Sequence, residues 1–134
     1  MVSRVRAEAL RDLERYADAL AEYEHVDAHH PDDLTTLMGM GWCLKRLDRI
    51  DEAIEALQRA YRAHPDEPVV LYNLACYLCL AGDKTQCLSW LGRALRMEPK
   101  LRQLITRERD FDNLREDPDF QFMIADPRVP DGES

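Results

Sequence analysis

The sequence predicts an all-α fold, a right-handed superhelical solenoid built from helix–turn–helix hairpins. Two observations lead to this prediction. First, apolar residues recur three and four positions apart in successive stretches, which is the spacing of one helix face. Second, Pro31, Pro65 and Pro99 stand 34 residues apart, twice in succession. Self-similarity at such a period indicates hairpins that stack on one another and share a continuous core.

The first hairpin is predicted to contain helices at 3–13 and 16–30. Its inward-facing residues follow helical spacing, and they are Leu10, Leu13, Tyr16, Ala19, Leu20 and Tyr23. The second hairpin is predicted at 34–47 and 50–63, with Asp33 as a side-chain N-cap.

Glycine and proline mark the remaining elements. Gly41 lies on the packing side of its helix and allows a neighbouring helix to approach closely. In the third hairpin, Pro68 suits the first helical position, because its missing N–H would lack a partner there anyway. Gly82 ends that helix through the left-handed backbone. No β-strand is expected, and breaks between helices are predicted near 14–15, 31–33, 48–49, 64–67 and 82–83.

Several columns of residues keep their size when the three hairpins are aligned. They are Ala19, Ala53 and Cys87; Tyr23, Leu57 and Leu91; and Val26, Ala60 and Ala94. With the proline spacing, these columns resemble the tetratricopeptide repeat, a pair of helices with small residues where helices cross. The resemblance covers about residues 1–99. It implies three repeats, at about 1–33, 34–67 and 68–101.

A cap is predicted to follow the repeats at 100–125, so that residues 1–125 form one domain. It begins with a helix at about 100–109 that shields the open end of the last repeat. Phe111, Leu114 and Phe120 are expected to be buried against the last hairpin. Asp117 and Pro118 predict the start of a short helix. Residues 126–134 are polar and contain proline, which predicts a flexible tail.

Composition restricts the class of protein. Hydrophobic residues make up 46% and charged residues 33% of the 134 residues, which is typical of a soluble helical protein. No membrane-spanning run, secretory signal or disulfide-scaffold spacing is visible, which favours a reduced, cytoplasmic protein. The net charge of −8 lies mainly in residues 108–134, which carry −6. Because no concentrated basic face is present, nucleic acid is not an expected partner.

Two pairs of residues, one of histidines and one of cysteines, have spacings found in metal or redox sites. His25 and His29 are four residues apart, a spacing that can bind a metal. A solvated helix end is the favoured interpretation, because no HExxH motif or cysteine partner accompanies the pair and charged histidine suits the helix dipole there. Cys76 and Cys79 form a CxxC inside a helix, whereas a thioredoxin-like motif lies at a helix N-terminus beside a strand. We therefore expect no metal, no cofactor and no enzymatic activity, since no nucleophile–base arrangement or phosphate loop is present.

The resemblance implies a function in binding other proteins, with a peptide or partner helix lying on the concave face formed by the first helix of each hairpin. Residues that point away from the packing columns then form the binding site, and they are Met38, Trp42, Lys45, Tyr72, Asn73, Cys76 and Arg107. Trp42 and Tyr72 suit an apolar or aromatic anchor. The alternative for these two residues is packing in the core.

A second kind of ligand is a C-terminal carboxylate, which some family members clamp with Lys, Asn and Arg side chains. Of the corresponding positions, Asn73 and Arg107 agree with that pattern, so a chaperone-tail clamp of the usual kind is not predicted. An adaptor or scaffold role is favoured, and the alternative is a small chaperone of a secretion system. Self-association is left open.

Overall fold

The structure, a computed structural model, describes residues 4–125, and all regular secondary structure in this range is helical. The predicted tail at 126–134 lies outside the described residues. The α-helices are α1 (Arg4–Asp12), α2 (Tyr16–His29), α3 (Leu34–Arg46), α4 (Ile50–Ala63), α5 (Pro68–Leu80), α6 (Lys84–Met97), α7 (Arg102–Ile105) and α8 (Pro118–Ile124), with 3-10 helices at Pro99–Leu101 and Arg109–Leu114.

The turn inside each hairpin has the same backbone conformation. Glu14, Asp48 and Gly82 have positive φ angles of 59°, 61° and 83°, and they are spaced by the 34-residue period. In each turn the next residue donates its N–H five residues back, as Asp83 does to the carbonyl of Leu78 at 3.0 Å. These bonds satisfy carbonyls that the helix end would otherwise leave unpaired. The predicted breaks between helices are confirmed.

Helices pack against their neighbours in chain order, from α1 against α2 to α5 against α6. The aligned columns lie at these contacts: Tyr23, Leu57 and Leu91 are all fully buried. At Gly41, a Cβ atom would overlap the side chain of Leu57 on α4, which confirms the predicted close approach.

Asp33 caps α3 as predicted. Its carboxylate accepts the backbone N–H of Thr36 at 3.1 Å and the Thr36 hydroxyl at 2.8 Å. These hydrogen bonds lower the pKa of Asp33, because they favour its charged form.

Two local predictions are wrong. Leu13 was expected to face inward, but its side chain lies at the end of the first hairpin turn and is 68% exposed. A single capping helix at 100–109 was also expected. Instead a 3-10 turn at Pro99–Leu101 leads into the four-residue α7, which ends at Ile105. The polar run from Thr106 offers no further apolar residue to hold another helical turn against the core.

After α7 the chain returns across α5. We call residues 108–114 the closing segment; it includes the 3-10 helix Arg109–Leu114, which packs on α5. Phe111 and Phe120 are fully buried and Leu114 is nearly so. Lys84 at the start of α6 holds α8 through ion pairs to Asp117 at 2.8 Å and Asp119 at 2.9 Å. None of the helices within residues 4–125 is long and apolar enough to cross a membrane.

Candidate functional site

The inner face of the repeats, defined here as the side of α3 and α5 that carries the predicted site, has two different regions. Trp42 and Arg107 are exposed, and Met38 and Asn73 are half-buried. Tyr72 and Cys76 are only 3% and 1% exposed, because the closing segment covers α5. The structure therefore leaves the predicted site open at Trp42 and at Asn73, and covered in between.

Trp42 lies at the open end of the inner face. Its ring is 37% exposed and is flanked by two cations: the Arg46 guanidinium lies 4.5 Å and the Lys45 ammonium 5.4 Å from the ring centroid. Arg46 forms no ion pair among residues 4–125. The ring borders a surface pocket of about 400 Å³, whose other lining residues are Arg11, Asp12, Glu14 and Tyr16. The first hairpin thus contributes to this site through its turn.

Asn73 and Arg107 come together at the other end of the inner face, although they are 34 residues apart in sequence. They line a pocket of about 390 Å³ together with Val69, Tyr72, Leu104 and Glu108. Asn73 offers both an amide donor and an acceptor, and Arg107 adds a positive charge. This pair can hold a peptide backbone or a carboxylate.

Between these two pockets, the closing segment contacts α3 through an ion pair and α5 through an aromatic ring. Lys45 donates to the Asp110 carboxylate at 2.7 Å, and both side chains are mostly buried. The Phe111 ring meets the Tyr72 ring edge-on, with centroids 5.8 Å apart and an interplanar angle of 74°. Lys45 of α3 and Tyr72 of α5 therefore bind one short stretch of the chain itself.

The covered region also brings together three groups able to hold a metal. The Cys76 sulfur and carboxylate oxygens of Glu108 and Asp110 lie within 4.8 Å of one another. The Lys45 ammonium already supplies a positive charge to Asp110 there. Burial raises the pKa of the Cys76 thiol well above its usual value, so the sulfur stays protonated, whereas metal binding and nucleophilic attack need the thiolate.

The two histidines singled out in the sequence lie side by side on α2. Their rings stack with centroids 5.0 Å apart, and Nδ1 of His29 lies 3.0 Å from the backbone carbonyl of His25. Both are exposed near the end of the helix. They join no group of three ligand residues within residues 4–125.

Sequence reasoning missed the role of the closing segment in the site. It treated Phe111 as a cap residue and gave Asp110 no function. The order of an acid and an aromatic was no specific signal, since Asp119 also directly precedes a buried aromatic, Phe120, and is itself exposed.

Helical hairpins that stack in chain order, as α1 to α6 do here, define the class of helical-repeat proteins. Residues 10–71 match the family model described as the tetratricopeptide repeat. This match covers the second hairpin and parts of the first and third, and the rest of the third hairpin continues the same fold beyond the matched residues.

Solved structures agree with this fold. The type III secretion chaperone SycD of Yersinia enterocolitica, in complex with a peptide of the translocator YopD, superposes with a TM-score of 0.73 at 20% identity, covering 84% of this chain and 89% of that one. A crystal structure of MamA gives a TM-score of 0.74 at 17% identity, covering 87% of this chain and 69% of that one. A comparison with curated protein sequences finds no match.

Proposed function

We propose that this protein is a non-enzymatic interaction module, an adaptor or scaffold that binds a peptide or partner helix along its inner face. The observation that carries the proposal is the position of Trp42. A large aromatic ring is held on the open end of this face between Lys45 and Arg46, beside a pocket. A hydrophobic anchor with adjacent charges is the usual centre of a peptide-binding groove.

The rest of the inner face supports the same function. Met38 precedes Trp42 by one helical turn, so the two side chains form one patch on α3. Asn73 and Arg107 at the far pocket provide hydrogen bonds and charge for a peptide that extends from α3 to α5. The expected ligand is therefore an extended or helical segment with an apolar anchor and acidic flanks.

The test is to select peptides from a random display library on the immobilised full-length protein and to measure the selected peptide by calorimetry. Because central aromatic residues of such interfaces typically contribute about 2 kcal/mol or more, Trp42→Ala should weaken binding at least tenfold and leave the helical circular dichroism unchanged. Trp90→Ala is the matched control. That ring also stacks with an arginine, Arg93 at 4.4 Å, but it lies on α6 and packs on Tyr61.

Two results would count against the proposal. If no peptide is selected above background, the inner face is not a peptide site. If Trp42→Ala and Trp90→Ala bind the selected peptide as tightly as the wild type, the site lies elsewhere on the protein. Loss of helical signal in Trp42→Ala would show that this ring supports the fold.

The second candidate is a small chaperone of a secretion system. The observation that favours it is the structural likeness to SycD, which binds a translocator peptide. A gene for a secreted, membrane-active protein next to the gene of this chain would support that role. Co-expression should then keep the secreted protein soluble, whereas an adaptor would leave its solubility unchanged.

We also propose a cellular location for the protein and a class of ligand. A cytoplasmic location fits the four buried, unbridged cysteines, because thiols stay reduced in that compartment. Protein or peptide is the proposed ligand. Nucleic acid is disfavoured by the net charge of −8, since phosphate binding needs a basic face.

A further inference from the structure

The geometry points to a second, covered part of the binding site. We infer that the surface formed by Lys45 and Tyr72, which the closing segment covers, binds a partner peptide. This peptide contains an acidic residue directly followed by an aromatic one, and on binding it replaces residues 108–114. The inference rests on the proposed function and specifies the chemistry of the ligand.

The closing segment already shows what this surface recognises. Asp110 gives its carboxylate to Lys45 at 2.7 Å, and the next residue, Phe111, places its ring against the edge of Tyr72. Both residues of the pair are buried, at 8% and 0% exposure. An aspartate followed by phenylalanine therefore pairs with the Lys45 ammonium and packs on the Tyr72 ring, and the same pair in another chain would make the same contacts.

The fit of the closing segment is imperfect in two ways. The Tyr72 hydroxyl is buried and has no hydrogen-bond partner among residues 4–125, which is costly in a protein interior. In addition, the carboxylates of Glu108 and Asp110 lie within 4.8 Å of each other, and like charges at that distance repel. A ligand that offers an acceptor to Tyr72 and one carboxylate instead of two would bind this surface better than residues 108–114 do.

An entry to the covered surface is also present. The pocket at Asn73 and Arg107 is lined by Tyr72 and by Glu108, so it reaches the edge of the closing segment. Arg107 is exposed and forms no ion pair within the part of the chain that the structure describes. It can attract the acidic peptide before the segment is displaced.

The segment itself is short. Its helix is of the 3-10 type, whose hydrogen bonds have poorer geometry than those of an α-helix. The ends of the segment are braced locally, since Arg115 donates to the Glu108 carbonyl at 2.6 Å. In the inferred exchange residues 108–114 leave the surface as one loop, which gives up the burial of Phe111 and its contact with Phe120 at a centroid distance of 5.5 Å. The apparent affinity of the partner is reduced by the fraction of molecules in which the surface is covered.

Two substitutions in the full-length chain separate this inference from a purely structural cap. Asp110→Ala and Lys45→Ala each remove the same ion pair and loosen the closing segment. Asp110→Ala keeps the receptor lysine, whereas Lys45→Ala destroys it. The probe is a fluorescein-labelled synthetic peptide with the sequence of residues 107–116, followed by fluorescence anisotropy.

Asp110→Ala is expected to bind the probe at least tenfold more tightly than the wild type, and Lys45→Ala no more tightly than the wild type. The same probe carrying Phe111→Ala should lose at least tenfold in affinity for Asp110→Ala. Equal binding by the two variants, or no binding by Asp110→Ala, would overturn the inference. Circular dichroism monitors folding, and Asp110→Asn replaces Asp110→Ala if that variant unfolds.

Other occupants give different results. If the segment of a second copy fills the surface, Asp110→Ala binds the probe but also forms concentration-dependent dimers in sedimentation velocity, and the inferred partner is then overturned in favour of the chain itself. The proposed function fails separately: a selected peptide that binds independently of Trp42 refutes that function, while the comparison of Asp110→Ala with Lys45→Ala is unaffected.

Discussion

Replacing Gly82 by alanine tests the repeated turn through the backbone alone. Gly82 has a φ of 83°, and a Cβ atom there would meet nothing within 4 Å, so the variant neither clashes nor loses packing. The left-handed conformation costs alanine roughly 1–2 kcal/mol. The reduced freedom of the unfolded chain returns roughly 0.4–1 kcal/mol. We therefore expect a net loss of about 1 kcal/mol in the free energy of unfolding.

The reverse substitution, to glycine, can be made at the equivalent turn positions one and two repeats earlier. Glu14 and Asp48 hold φ angles of 59° and 61° without the freedom of glycine. Glu14→Gly should stabilise the protein by about 1 kcal/mol. Asp48→Gly should give about half of that, because aspartate tolerates the left-handed region better than glutamate does.

Thermal unfolding followed by circular dichroism measures all three variants. An unfolding entropy of roughly 2.1 cal/mol/K per residue gives about 0.28 kcal/mol/K for this chain, so 1 kcal/mol corresponds to a Tm shift of about 3.5 °C. Gly82→Ala should lower Tm by that amount and Glu14→Gly should raise it. An unchanged Tm in Gly82→Ala, or a lower Tm in Glu14→Gly, would refute the reasoning that one turn geometry recurs every 34 residues.

Three further predictions follow from buried contacts. Phe111→Ala should lower the free energy of unfolding by about 3 kcal/mol, whereas Phe122→Ala, at a ring 86% exposed, should change it by less than about 0.5 kcal/mol in the same urea titration. Gly39→Ala should cost about 1–3 kcal/mol, since its Cβ would overlap the buried Tyr23 ring; a crystal structure would show the ring displaced. Asp33→Ala should cost about 1 kcal/mol at pH 7. Hydrogen bonds from Thr36 lower the pKa of Asp33 in the folded protein. The difference in free energy of unfolding between the wild type and Asp33→Ala should therefore be present above the usual pKa of 3.8 and disappear as the pH falls through the lower folded-state pKa. Urea titrations at several pH values would detect this change.

Most of the fold could be predicted because a hairpin repeat depends on local information. Helix limits follow from spacing, caps and turn residues within one repeat, so Asp33, Pro68 and Gly82 mark ends that the structure confirms. The left-handed turns at Glu14 and Asp48 could also have been found by aligning them with Gly82. The exposure of Leu13 could not have been predicted, because this residue follows the helical spacing of apolar residues although it lies at a turn and is 68% exposed.

The site was less predictable, because it depends on a segment distant in sequence. Trp42 and Asn73 lie on the face that the repeat register assigns to them. Tyr72 and Cys76 obey the same register, but residues 108–114 cover them. Helical periodicity describes which side of a helix a residue occupies, and it carries no information about a later stretch of chain that returns to that side.

The ion pair between Lys45 and Asp110 also has a kinetic consequence, because it joins residues 65 positions apart. The hairpins close through contacts between neighbours and can form as each repeat is completed, whereas this pair needs a long loop to close first. The closing segment is therefore expected to dock after the repeats have folded. During synthesis the inner face would stand open until about residue 114 has left the ribosome, so that a partner present at that moment meets Lys45 and Tyr72 before the chain's own segment does.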